Sequence, residues 1–293
     1  MSARAWWKLL EDTTTEWWND NAFRLSAALA YYTLFSLAPV LVVAVAIAGF
    51  AFGREAVRGQ LFEELRGLVG DSSAAALQTA VAAAAVRPSS GVVATAVGIL
   101  TLIIGSSAVF GELQDDLNTI WDAKPPQGTG LWMMVRKRLL SLAMVAVIGF
   151  LLLVSLALSA SVTLLGTYVA DVLPLSAVLL EGVNFLASLA ITTMLFASIY
   201  KVLPDVDIRW SDVWFGAAAT AAMFTLGKSL IGIYLGRTVV GSAYGAAGSL
   251  VVLLLWIYYS SLILFFGAEL TQVYARSHGS RTDEAPILAA ERR

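Results

Sequence analysis

Of 293 residues, 58% are hydrophobic and only 14% are charged, against about 25% charged in an ordinary soluble domain, and the mean hydropathy is +0.76. A soluble chain this apolar would lack the polar residues to cover its core, which argues against a soluble enzyme. The net charge of −2 offers no basic field for nucleic acid. With no cysteine and a single histidine, His278, disulfides, zinc knuckles, cysteine nucleophiles and two-histidine mechanisms are excluded.

The first 20 residues contain Glu11, Asp12, Glu16 and Asp20 and no apolar core of a signal peptide, so no cleavable signal is expected. Trp6-Trp7 and Trp17-Trp18 lie about three helical turns apart, which puts both pairs on one face with Leu10 between them. Residues 1–23 therefore read as an amphipathic helix in the cytoplasmic interface of a membrane. A helix that binds a soluble partner is the alternative.

Charge-free runs follow at 25–53, 88–111, 139–170, 182–200 and 238–268, and a further run at 213–236 is broken only by Lys228. A membrane-crossing helix needs about 20 apolar residues. These runs are too long for barrel strands, and an open sheet cannot satisfy its backbone in lipid. The reading is an all-α polytopic membrane protein: a bundle of six transmembrane helices over about 25–50, 91–112, 139–167, 182–203, 213–235 and 246–274. Together these make a transmembrane domain at 24–275. A very apolar soluble bundle would show a polar face every few residues, and 139–170 has none.

Of the connections, residues 54–90 read as an external helical hairpin, with Val57, Leu61, Leu65 and Leu68 at helical spacing. Its second helix is capped near Asp71 or Ser72 and stops at Arg87-Pro88. It would serve as a static cover or as a mobile lid. Residues 123–135 carry a turn signature in Pro125-Pro126-Gln127-Gly128, and 276–293 read as a disordered cytoplasmic tail. Lys and Arg concentrate on one side: Arg4, Lys8, Arg24, the triplet Arg136-Lys137-Arg138, Lys201, Arg209 and the tail. By the positive-inside rule both termini are cytoplasmic. The two halves of the bundle would have opposite topology, but their sequences show no repeat.

Ionisable groups inside a membrane are costly and mark candidate sites. Lys228 is the outstanding one, either an anion or headgroup contact or a lysine snorkelling to the outer interface. Glu269 sits near the cytoplasmic end of the last span. Glu112, Asp115, Asp116 and Asn118 extend the second span on the same side. Their three carboxylates would bind a cation, relay protons, or pair with Arg136–Arg138, and the ion-pair network is the favoured reading. Pro39, after Tyr31 and Tyr32, should kink the first span or open its hydrogen bonding. Gly245 and Gly248, with Gly232, Gly236 and Gly241, have spacings that permit close helix approach or a non-helical lining.

Four segments carry a family resemblance: SAALAYYTLFSLAPVLV at 26–42, FGELQDDLNTIW at 110–121, YKVLPDVDIRWSDVWFGAAATAAMFTLGKSLIGIYLG at 200–236 and YGAAGSLVVLLLWIYYSSLILFFGAELTQVYA at 244–275. In these the chain resembles the YihY/virulence factor BrkB family, once called ribonuclease BN. The resemblance implies a six-helix bacterial inner-membrane protein and brings no established catalytic set. RNA hydrolysis would need an acid–base pair or a metal site beside a basic surface. The lone His278 and a carboxylate cluster without a nuclease motif supply neither, so no catalytic residue, metal or cofactor is assigned. The function expected is permease-like, moving or handling a lipid or an amphiphilic anionic substrate. The alternative is a non-transporting scaffold for envelope integrity or stress resistance. Expected partners are membrane lipids and a lipid-like or anionic substrate, not nucleic acid; a homo-oligomer is compatible with this reading.

Overall fold

The computed structural model describes residues 3–53, 58–59, 61–63, 65–66, 71–84, 105, 108–123, 139, 143–144, 147, 150–151, 154, 176–237 and 248–280. Among them every regular element is helical and none is a strand. The named helices are α1 (Ala3–Asn19), α2 (Ala22–Phe52), α3 (Asp71–Ala84), α4 (Ser176–Val202), α5 (Trp210–Arg237) and α6 (Gly248–Ser277). A further helix occupies 108–120. Three of the described segments are long and apolar enough to cross a membrane: Ala22–Ala46, Gly182–Val202 and Gly248–Ser277. Most of their residues are not buried in the bundle, as expected of helices whose outer faces meet lipid rather than water.

Gln114 and Asn118 meet Asp205, and Arg276 meets Asp122, so one end of the bundle gathers Asp122, the 203–209 loop and the last turn of α6. The main core lies toward this end. Leu25 and Leu29 of α2, Leu117 and Ile120 of the 108–120 helix, Tyr200 of α4, Ala217 and Ala221 of α5 and Phe265 of α6 belong to one buried cluster. Small residues set its helix spacing. A methyl group on Gly216 would lie 1.7 Å from Thr271 Oγ1, and one on Gly267 would lie 1.8 Å from Thr220 Oγ1. On Gly227 it would meet Ile263 Cδ1 at 2.8 Å and the Tyr259 hydroxyl at 2.9 Å. These glycines therefore let side chains of α5 and α6 seat directly on the facing helix's backbone, bringing the two helices close.

At the opposite end, α3 packs on α2 and α6. Ala74, Leu77 and Val81 share a buried cluster with Leu41, Leu253 and Ile257, joined by Leu61 and Phe62. The Ser73 hydroxyl donates to the Ser249 carbonyl at 3.0 Å, tying α3 to the start of α6. Pro39 sits inside α2, which continues unbroken to Phe52. A Cβ on Gly105 would lie 3.0 Å from Pro39 Cγ, so the proline ring packs against that glycine.

α1 does not stand apart from the bundle. Leu9 and Thr13 are buried, and Leu9 clusters with Leu270 and Val273 of α6. Trp6 meets Phe215 and Trp17 meets Phe266, at centroid distances of 5.7 and 6.1 Å. Trp7, Leu10 and Trp18 face outward at 72%, 43% and 68% exposure. The tryptophan pairs are thus split: Trp17, and Trp6 on one side while still 42% exposed, touch the bundle near Leu9, and Trp7 and Trp18 lie with Leu10 on the open side. Between α1 and α2 the chain turns through Asn21, which takes the left-handed φ of 56°; asparagine tolerates this better than most residues.

Candidate functional site

Polar side chains converge at the α1 end of the bundle. Gln114 and Asn118, four residues apart, share a helix face, and their amides both donate to Asp205 Oδ2 at 3.1 Å. Asp205 N–H donates to Asn118 Oδ1 at 2.7 Å. The 203–209 loop is thereby latched to the 108–120 helix, and Lys201 Nζ donates to the Ile208 carbonyl at 2.6 Å across the same loop. Further out, Asp212 accepts from the Ser280 amide and hydroxyl and from Ser211. Burial acts to raise the Asp212 pKa, but the Ser280 and Ser211 hydrogen bonds and Arg209 outweigh it and hold the carboxyl below its usual range.

The three carboxylates at 112–116 do not act as one face. Asp115 is exposed, Glu112 is half-buried and Asp116 is 4% exposed, with Oδ2 lacking a partner. Burial first, then repulsion from Glu112 and Asp115, pushes the Asp116 pKa up to about 8, while Arg24 of α2 opposes the shift. Arg24 is therefore a cation that acts on this carboxyl. The partners expected from the sequence, Arg136–Arg138, lie outside the described residues.

Along α6, Glu269, Gln272 and Arg276 line the side that meets the 108–120 helix and α1. Gln272 donates to the Ile120 carbonyl, and Arg276 pairs with Asp122 at 2.8 Å. Glu269 is 0% exposed and neither of its oxygens has a hydrogen-bond donor. Deeper in the bundle, the Tyr200 hydroxyl donates to the Leu264 carbonyl at 2.7 Å and lies 3.0 Å from Thr220 Oγ1, which donates to the Gly216 carbonyl at 2.7 Å. Sequence reasoning missed Tyr200, Thr220, Asp205 and Asp212. The helical spacing of Gln114 and Asn118 was the available signal, since two carboxamides on one face call for a shared acceptor.

Lys228 stands apart from that layer. Ala217, Ala221, Phe224 and Lys228 recur at spacings of four, three and four on α5, so they share a face. Ala217 and Ala221 are fully buried, Phe224 is partly buried and Lys228 is exposed. One face of α5 thus leaves the core as it approaches Lys228. The neighbouring half of α4 is open as well: consecutive positions 182–186 are all exposed, with Val183, Phe185 and Leu186 at 53%, 54% and 64%. Tyr31 and Tyr32 are exposed on α2, and Tyr31 contacts Phe35 at 4.9 Å. Gly248 is buried at the start of α6, and Gly245 lies outside the described residues. Among the described residues no group of three Asp, Glu, His or Cys side chains is placed to hold a metal ion.

The family model for virulence factor BrkB matches residues 13–291. The chain is similar to a UPF0761 membrane protein of Rhodospirillum centenum, 28% identical over 283 residues, covering 94% of this chain and 60% of the relative. It is similar to another of Verminephrobacter eiseniae, 28% identical over 276 residues, covering 90% and 62%. A third, of Albidiferax ferrireducens, is 27% identical over 290 residues, covering 93% and 66%. The chain therefore spans less than two thirds of the length of these curated relatives. No solved structure matches it.

Proposed function

The chain belongs to the virulence factor BrkB family and is a membrane protein, and from that premise we propose that it handles an amphiphilic anionic substrate, lipid or lipid-like, drawn from the bilayer. The observation that carries this reading is the α5 face that runs from buried Ala217 and Ala221 to exposed Lys228. An anionic headgroup would meet the ammonium group there, while its chains lie against the open half of α4, where Val183, Phe185 and Leu186 are exposed. A small hydrophilic solute would gain little from such surroundings.

The reading includes six spans in the bacterial inner membrane, α1 in the cytoplasmic interface and both termini cytoplasmic. The outward Trp7, Leu10 and Trp18 stripe supports the interfacial placement, because indole rings favour the headgroup layer. Single cysteines placed in this cysteine-free chain and labelled with an impermeant thiol reagent in intact cells test the orientation. Labelling from outside at a cysteine before α2 would refute it.

The function is tested in proteoliposomes by comparing wild type with Lys228→Ala in lipid scrambling and anion uptake. Activity above empty vesicles that drops at least about tenfold in the variant is expected. Equal behaviour of the two proteins would make the lysine an anchor. A second reading, the non-transporting scaffold, is favoured by the close contact of α5 with α6 at Gly216, Gly227 and Gly267, which leaves that helix pair little room to move. Inactivity of well-folded wild-type protein in both assays would support it.

A further inference from the structure

Glu269 poses a physical problem that the lipid-handling reading does not use. Its side chain is fully enclosed, and neither carboxylate oxygen has a hydrogen-bond donor. A charged carboxylate so placed is costly unless it is paired. The groups that face it are Glu16 from α1, Asp20 just after α1, and Arg276 from α6 itself, and the Arg276 guanidinium is engaged through Nη2 by Asp122 at 2.8 Å. The Asp20 side chain lies within hydrogen-bonding reach of Glu269. Two carboxyl groups can be joined in that way only when one of them carries a proton, since a carboxylate is an acceptor alone. No metal-binding group of three such side chains exists among the described residues, so the ligand that fits is the proton.

The contact also joins two elements. Asp20 lies at the break between α1 and α2, beside the left-handed Asn21, and α1 covers α6 through Leu9, which clusters with Leu270 and Val273. We infer that Glu269 and Asp20 form a proton-binding site in which one shared proton fastens α1 onto α6, and that loss of this proton releases α1 and opens Glu269 to water. With both groups ionised, the enclosed Glu269 would face the half-buried Asp20 as a like charge, and Glu16 would add a third. Undocking α1 is the movement that lets water reach Glu269. The inference rests on the docking of α1, not on any substrate, so it stands or falls separately from the lipid-handling reading.

The chain has no cysteine, so the full-length protein carrying Leu9→Cys and Val273→Cys reports α1 docking by copper-catalysed disulfide formation without background thiols. Thiols react faster as pH rises. Each rate is therefore divided by that of the same cysteine pair carrying Glu269→Gln at the same pH. The ratio should stay near one at pH 6 and fall about fivefold or more by pH 9. Adding Asp20→Asn, whose amide can donate to the Glu269 carboxylate, should keep the ratio nearly flat. A flat ratio without Asp20→Asn overturns the proposal, and so does an equally steep fall with it. If Glu269→Gln fails to accumulate, dicyclohexylcarbodiimide, which attacks protonated carboxyls in apolar surroundings, serves as the probe. Mass spectrometry should find Glu269 modified at pH 7, and an unmodified Glu269 overturns the site. The proteoliposome comparison at Lys228 can fail without altering any of these results.

Discussion

Replacing Gly267 with alanine places a methyl group 1.8 Å from Thr220 Oγ1, 2.6 Å from the Tyr200 hydroxyl and 2.9 Å from Thr220 Cβ. None of these atoms can simply swing aside. Thr220 Oγ1 donates to the Gly216 carbonyl at 2.7 Å, and the Tyr200 hydroxyl donates to the Leu264 carbonyl at 2.7 Å inside a fully buried site. Overpacking a core costs roughly 1–3 kcal/mol, and a buried hydrogen bond forced apart adds about 1 kcal/mol. The expected cost is about 3 kcal/mol, a fall of roughly 6–12 °C in apparent melting temperature for a chain of this size. The assay is fluorescence-detected gel filtration of detergent-solubilised protein after a temperature ramp. Thr220→Ala removes the nearest atom, so the double variant should recover part of the loss, an interaction that a double-mutant cycle isolates. A Gly267→Ala protein that melts within about 2 °C of wild type would refute the close approach of α6 to α4 and α5.

Gly111 is the matched opposite case: it lies in the 108–120 helix with nothing within 4 Å of an added Cβ. Gly111→Ala should raise the apparent melting temperature slightly, by the ~0.5–1 kcal/mol that alanine gains over glycine in a helix. Asp205→Ala removes the acceptor of Gln114 and Asn118 and should lower stability by about 1–3 kcal/mol, with protease sensitivity appearing first in the 203–209 loop. At Asp116 the carboxyl titrates near 8 in the folded protein, up from 3.8, so the folded state binds a proton that the unfolded chain releases. Its contribution to stability is full below about pH 4 and is lost as pH rises through 8. Asp116→Asn should flatten this loss, so that melting curves of variant and wild type diverge between about pH 4 and 8 with the variant higher; parallel curves would count against a buried, protonated Asp116.

The carboxylates at 112–116 show how far local reasoning reaches. The sequence places Glu112, Asp115 and Asp116 on one helix at neighbouring turns, and that spacing is real. Which of them is buried depends on where the other helices lie, because the side of this helix that packs into the core with Leu113 and Leu117 carries Asp116 inward. The tryptophan pairs make the same point. Their separation correctly implies repeated faces on one helix, yet Trp6 and Trp17 pack on Phe215 and Phe266 while Trp7 and Trp18 remain exposed. Adjacent residues on a helix point about 100° apart, so a pair cannot share a single contact surface once a partner helix is present.

Apolar length and charge spacing are properties of the chain itself, and from them follow the all-helical membrane class and the short list of ionisable residues near the spans. Pairing belongs to the tertiary structure. The Tyr200–Thr220 contact, the latch of Gln114 and Asn118 on Asp205, and the enclosure of Glu269 beneath α1 all join residues far apart in the chain or from different helices. The hydrophobic pattern says which segments prefer lipid or core, but it does not say which helices become neighbours. That choice is made by close packing at Gly216, Gly227 and Gly267, where side chains of the facing helix rest on backbone that carries no Cβ.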